Sequence, residues 1–289
     1  MKNFFEYILF LSFSFFCRIF GLRLSRKFAS VIGFIFFYFI PIRRKVVIDN
    51  LQNAFPELTE NEIKKLAYNN FKNFALTLVE ILILPGLDDK DLKNIVSFDE
   101  IEKLKQLYDL GNGVILLSAH FGNWEYGALS IALNIEKKIF VVAKAQRNTQ
   151  VNNWIDKQRE KCGNEVIPLG ISIRNVYSAL KEKKIVALVA DQRGPAESIK
   201  LEFFGRKTSV YTGPAVLSLK TNSPIIYGLT IRQKDLSYKA VFKEISRENL
   251  PDNNDEKVKV LSERILIYLE NVIREYPEQW FWMHKRWKH

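Results

Sequence analysis

The sequence predicts an α/β fold, and three observations carry that prediction. Short, wholly apolar runs at Val114–Leu117, Ile139–Val142, Ile185–Val189 and Ile225–Leu229 have the length and branching of strands buried on both faces. Between them, stretches near 124–134, 151–162, 172–182, 213–221 and 256–275 carry apolar residues at helical spacing. The chain has 289 residues, 47% hydrophobic and 26% charged, enough for a large core and too polar for a polytopic membrane protein. Alternating strands and helices describe a sheet with helices packed on it.

The chain opens on two apolar runs, Tyr7–Cys17 and Phe28–Ile42. Each is shorter than the roughly 20 residues a spanning helix needs. Lys2, Arg18, Arg23, Arg26, Lys27, Arg43, Arg44 and Lys45 border or interrupt them, against Glu6 as the one acid. Cations beside phenylalanine-rich runs suit a lipid surface better than a nucleic-acid groove. No small-residue cleavage site follows the first run, so a signal peptide fits poorly. Residues 1–45 are therefore expected to be a membrane anchor, inserted or spanning, with its cations facing the cytoplasm.

Residues 46–289 read as one further domain. Val46–Leu84 is amphipathic and helical, interrupted by Phe55-Pro56, and Thr59 with Glu62 makes a capping box. Pro85-Gly86 ends that segment, and Gly111-Asn112-Gly113 turns the chain into the first strand. Asp252–Glu256 reads as a polar loop rather than a linker, and no repeat is visible.

Composition narrows the chemistry. Two cysteines, Cys17 and Cys162, and three histidines exclude a disulfide scaffold and a histidine- or cysteine-rich metal centre. The chain carries a net charge of +11, which suits anionic lipids or acidic carriers. There is no Gly-x-Ser-x-Gly elbow, P-loop, Gly-x-Gly-x-x-Gly or His-Glu-x-x-His. No nucleic-acid module is recognisable.

Ser118-Ala119-His120-Phe121-Gly122-Asn123-Trp124-Glu125 follows a predicted strand and opens a predicted helix, at the carboxyl edge of the sheet where α/β sites form. Imidazole is the natural base at neutral pH. Glu125, on the first helical turn, is placed to fold back onto one ring nitrogen and leave the other for a hydroxyl proton. Taken alone, His120 with an acid five places on also fits a structural histidine.

In context, this stretch resembles the His-x4-acid motif of the glycerolipid acyltransferase superfamily, and more narrowly the bacterial lipid A late acyltransferases. Further blocks match in order. They are Asn50-Leu51 with Phe55-Pro56, Arg147, Arg159 before Gly163, Ala190-Asp191-Gln192, Phe203-Phe204-Gly205 with Thr208, Thr212-Gly213-Pro214-Ala215, and the closing Pro277–Trp287 segment. The resemblance implies a single glycerolipid-acyltransferase-like domain, a central mixed sheet flanked by helices. It also implies acyl transfer from acyl carrier protein to a hydroxyl of a Kdo-bearing lipid A precursor, at the cytoplasmic face of the inner membrane. No metal or redox cofactor is required. His120 would be the base and Glu125 its partner, with Asp191 an acid supporting the site and Gln192 and Thr208 near substrate. Arg147 and Arg159 are guanidinium forks suited to phosphates or sugar carboxylates, and Arg159 equally suits a structural ion pair. The alternatives are a same-family enzyme using another glycolipid or phospholipid with acyl-CoA, and a catalytically silent membrane scaffold.

Overall fold

A computed structural model describes residues 1–40, 42–170 and 173–288. Pro41 of the second apolar run, residues 171–172 at the start of a predicted helix, and His289 lie outside the described residues. In chain order the elements are α1 (Lys2–Tyr38), α2 (Arg44–Ala54), α3 (Glu60–Ile83), α4 (Asp89–Ile95), β1 (Val96–Phe98), α5 (Ile101–Asp109), β2 (Val114–Ser118), α6 (Trp124–Ile135), β3 (Ile139–Ala143) and α7 (Thr149–Arg159). They continue with β4 (Glu165–Pro168), α8 (Ile173–Lys181), β5 (Ile185–Val189), β6 (Lys200–Phe203), β7 (Arg206–Ser209), α9 (Gly213–Thr221), β8 (Ile225–Arg232), β9 (Tyr238–Ile245) and α10 (Asn254–Glu275).

All four predicted strands and all five predicted helices between or after them are present. The seven-stranded sheet has the order β1-β9-β8-β2-β5-β3-β4. Strands β8, β2, β5, β3 and β4 run parallel; β9 is antiparallel to β8 and β1 follows β9, so the sheet is mixed. Strands β6 and β7 form a separate antiparallel hairpin.

The central strands were readable because they bury both faces. Ile115 and Leu117 of β2 point into one core cluster, with Val186, Leu229, Leu217 and Leu269. Val114 and Leu116 point into the other, with Leu92, Leu104 and Leu129. A strand covered on both sides has no polar alternation, so its sequence is continuously apolar. Strand β9 is half-buried, β1 and β4 are short edge strands, and the β6–β7 hairpin carries Lys200, Glu202, Arg206 and Lys207; none announces itself in the sequence. The capping box forms as expected, with the Thr59 N–H donating to Glu62 Oε2 at 2.8 Å.

In the amino-terminal segment a cationic gap, Arg18–Lys27, separates the two apolar runs. The gap is itself helical, because Arg and Lys are good helix formers. Continuity breaks only at Gly21, whose φ of 68° and ψ of 172° lie outside the helical region and are open to a residue without Cβ. Ser25, Ala29, Gly33 and Phe37 recur every four residues and are buried, while Phe4, Phe5, Leu9, Phe15, Phe28 and Phe39 are among the residues left exposed.

Candidate active site

Register builds the site. Strands β2 and β5 are parallel neighbours with Ser118 beside Val189, so residues two places beyond each end, His120 and Asp191, emerge side by side. The His120 ring contacts the Asp191 carboxylate through Nδ1 to Oδ1 at 2.8 Å, and its backbone N–H donates to Oδ2 at 3.0 Å. Trp280 adds its indole N–H to Oδ2 at 2.7 Å. Asp191 is buried, and its three donors satisfy both carboxylate oxygens.

The loop from β2 to α6 is clamped on both sides. Gly122 has φ of 54°, and a Cβ there would lie 1.9 Å from the Thr230 carbonyl, so only glycine fits. Its N–H donates to the Gln279 carbonyl at 3.0 Å, and its carbonyl accepts from the Thr77 hydroxyl at 2.7 Å. The His120 carbonyl accepts from the Phe281 N–H at 2.9 Å. Asn123 caps α6 by accepting from the Tyr126 N–H at 3.0 Å.

Electrostatics favour the charged form of both partners. Burial disfavours the imidazolium, but the Asp191 carboxylate, helped by the more distant Glu125 charge, holds the His120 pKa above its ordinary value. Burial likewise opposes ionisation of Asp191, and the pairing with His120 and the Trp280 and His120 N–H donors overcome it and hold its pKa low. The His120 side chain is 27% exposed, and with Nδ1 engaged, Nε2 is the nitrogen left for a further partner. The ring lies edge-on to Trp124, 5.0 Å between centroids, and 5.9 Å from Phe281. It borders a small cleft lined also by Asn70, Asn73, Phe74 and Thr77 of α3.

The expected bond from Glu125 to His120 is not formed, and the carboxylate at the ring is that of Asp191. Glu125 accepts from Arg159 instead, from Nε at 3.0 Å and from Nη2 at 2.7 Å, and from the Trp124 indole at 3.2 Å. The carboxylate on the first turn of α6 faces the last turn of α7, where a planar guanidinium offers two parallel donors. Arg159 also bonds Asp156 at 3.0 Å, so the ion-pair reading of Arg159 is the one the geometry favours. Glu125 still reaches His120 indirectly, by fixing Trp124 against the ring.

The other expected residues disperse. Arg147 is exposed in the loop after β3, and Gln192 is half-buried beside Asp191. Thr208, expected near substrate, is fully buried in β7, and its hydroxyl donates to the Arg286 carbonyl at 2.8 Å and accepts from that guanidinium at 2.9 Å. Thr212 makes no side-chain cap on α9. His284 and Arg286 are both tied to neighbouring backbone groups. Burial, with Arg193 and Arg286 nearby, pushes His284 down to about 4, so it stays neutral and its Nε2 accepts from the Arg193 N–H at 3.2 Å. Trp280, in the closing Pro277–Trp287 segment, supplies a donor to Asp191. The available signal was chemical: a buried indole N–H needs an acceptor.

The bacterial lipid A biosynthesis acyltransferase family matches residues 3–289. A lipid A biosynthesis palmitoleoyltransferase of Escherichia coli K12 is 24% identical over 252 residues, 86% of this chain and 80% of that protein. The lauroyltransferase of the same organism is 22% identical over 86% of this chain and 80% of its own. A phosphatidylinositol mannoside acyltransferase of Mycolicibacterium smegmatis is 23% identical over 72% of this chain and 67% of its own. With a match running nearly end to end and a histidine–carboxylate pair at the sheet edge, the chain belongs to the bacterial lipid A biosynthesis acyltransferase family and is an acyltransferase.

Proposed function

We propose that the protein transfers a fatty acyl chain from acyl carrier protein to a hydroxyl of a Kdo-bearing lipid A precursor, most naturally that of a 3-hydroxyacyl chain. The reaction takes place at the cytoplasmic face of the inner membrane. The observation that carries this reading is the His120–Asp191 pair, one ring nitrogen held by a buried carboxylate and the other open to a cleft. Nδ1–H donates to Asp191, which fixes the tautomer with the lone pair on Nε2. Nε2 takes the acceptor hydroxyl proton as that oxygen bonds to the thioester carbonyl carbon, and the carbonyl electron pair moves to oxygen. When the tetrahedral adduct collapses, the carbon–sulfur bond breaks and the thiolate takes the proton back from Nε2. Asp191 stabilises the imidazolium between these steps. Glu125 and Arg159 act as a positioning pair that holds Trp124 beside the ring.

Residues 1–45 form the membrane-binding part and residues 46–289 the catalytic part. The exposed aromatic side chains of α1 lie on the same body as α3, whose residues line the cleft, so a lipid acceptor is presented where His120 can reach it. The net charge of +11 suits the acidic acyl carrier protein. Exposed Arg147 is available to an anionic headgroup. The mannoside acyltransferase relative supports a second reading, transfer to another glycolipid by the same residues.

The test is acyl transfer by detergent-purified protein to vesicles containing the Kdo-bearing precursor, with acyl carrier protein thioester and acyl-CoA compared as donors. Carrier-dependent acylation of the precursor, with mass spectrometry showing that acyl chain missing from lipid A of a deletion strain, is the expected result. Unchanged lipid A together with transfer to a mannoside or phospholipid would replace the acceptor assignment.

A further inference from the structure

We propose that α1 lies in the plane of one leaflet and does not cross the bilayer, so that residue 2 and the catalytic body stay on the same side. This rests on the membrane-associated reading above and decides the topology it leaves open. By length and composition, α1 is the one helix among the described residues able to span, with 37 residues. The break at Gly21 divides it into limbs 2–20 and 22–38, whose uncharged stretches, Tyr7–Cys17 and Phe28–Tyr38, are each shorter than the roughly 20 residues a span needs.

Both limbs are fastened to the catalytic body along their length. In the first limb, the Asn3 carbonyl accepts from Asn148 Nδ2 at 2.7 Å, and Phe10 meets Trp154 of α7 edge-on at 4.9 Å. The Ser14 hydroxyl then donates to the Leu82 carbonyl at 2.7 Å. In the second limb, Arg26 Nε donates to the buried Glu80 at 2.8 Å, and a Cβ on Gly33 would lie 2.8 Å from the Lys72 Cα. Phe37 packs on Phe71 at 5.5 Å. A limb tied to the body at its start, middle and end cannot enter the hydrocarbon core lengthwise without taking α3 and α7 with it. Those helices carry Lys64, Lys65, Lys72 and Lys157, whose burial in lipid is costly.

The cations point the same way. Exposed Lys2, Arg18, Arg23, Lys27, Arg43 and Lys45 mark the start of α1, the break and the exit. A re-entrant hairpin would carry Arg18 and Arg23 toward the bilayer centre at its tip. A helix pair lying flat keeps every one of them at headgroup depth, where each gains about 1 kcal/mol from an anionic surface. The outward Phe5, Leu9, Phe13, Phe28, Val31 and Phe39 then enter the acyl boundary.

The test is thiol labelling of full-length protein in right-side-out and inverted membrane vesicles, in a Cys17→Ser, Cys162→Ser background. Lys2→Cys, Lys45→Cys and, on α10, Lys259→Cys should react with an impermeant maleimide in inverted vesicles and lose that labelling in right-side-out ones. An epitope ahead of Met1 should likewise be digested by added protease only in inverted vesicles, which covers a thiol shielded by headgroups. Labelling of Lys2→Cys, or digestion of the epitope, in right-side-out vesicles while Lys259→Cys stays protected would overturn the in-plane topology and leave the membrane reading standing. Full-length protein in the high-speed supernatant without detergent would overturn both.

Discussion

Two buried carboxylates flank the β2–α6 loop, and they differ in what their partners leave free. Asp191 pairs with a ring that keeps one nitrogen open at the edge of a cleft. Glu80, on α3, is fully buried and bonded by Arg26 at 2.8 Å, Arg232 at 3.0 Å, Asn123 at 3.0 Å and the Tyr238 hydroxyl. Arg232 in turn holds Tyr238 and Thr77, so α1, α3, α6, β8 and β9 meet in one closed network. Both clusters contain acid–base residues in contact. The first borders a cleft and keeps a ring nitrogen with its lone pair for another molecule, whereas the atom the second leaves over, Arg26 Nη2, is buried without a partner; access from a cleft is what separates a site from a brace.

Replacing His120 by Ala should break the first cluster with the largest effect. The proton acceptor is lost, and kcat should fall by about 10²–10⁴ with little change in Tm. Turnover close to wild type in folded His120→Ala protein would remove the proposed mechanism. Glu80→Ala should do the reverse: two guanidiniums lose their buried anion, and urea unfolding should show a loss of about 3–5 kcal/mol. A variant with unaltered unfolding and a specific defect in kcat would make Glu80 part of the chemistry rather than a brace.

Asp191→Asn sharpens the distinction through pH. The wild-type rate should rise with pH through a value above the ordinary histidine pKa of about 6.5, because the base works only unprotonated and Asp191 favours the protonated form. With the charge gone the imidazolium is less favoured, so the limb moves to lower pH and kcat falls on the order of 10². A limb that stays in place would show that Asp191 does not act through His120. Thr208→Val should have the smallest effect, a stability loss of about 1 kcal/mol from the buried bonds to Arg286 and normal kinetics. A raised acceptor KM in that variant would restore Thr208 to the substrate site.

The sequence by itself determined the α/β class, the four central strands, the helices between them and the position of His120. Each of these rests on local signals: continuous apolar runs, helical periodicity, and a histidine between a strand and a helix. It also pointed to the apolar, cation-bordered character of the first 45 residues, many of whose aromatic side chains are exposed. Which acid serves His120 was decided by tertiary structure. Glu125 is five residues away, yet α7 brings Arg159 to it across 34 positions, whereas Asp191 arrives 71 positions later because β2 and β5 pair in parallel register. Trp280 and Thr208 received their partners in the same non-local way. So did α1, whose small-residue face has a purpose only once α3 lies against it. Periodicity and propensity act within a few residues, while hydrogen-bond partners are assigned by strand register and helix packing, which no short stretch of sequence contains.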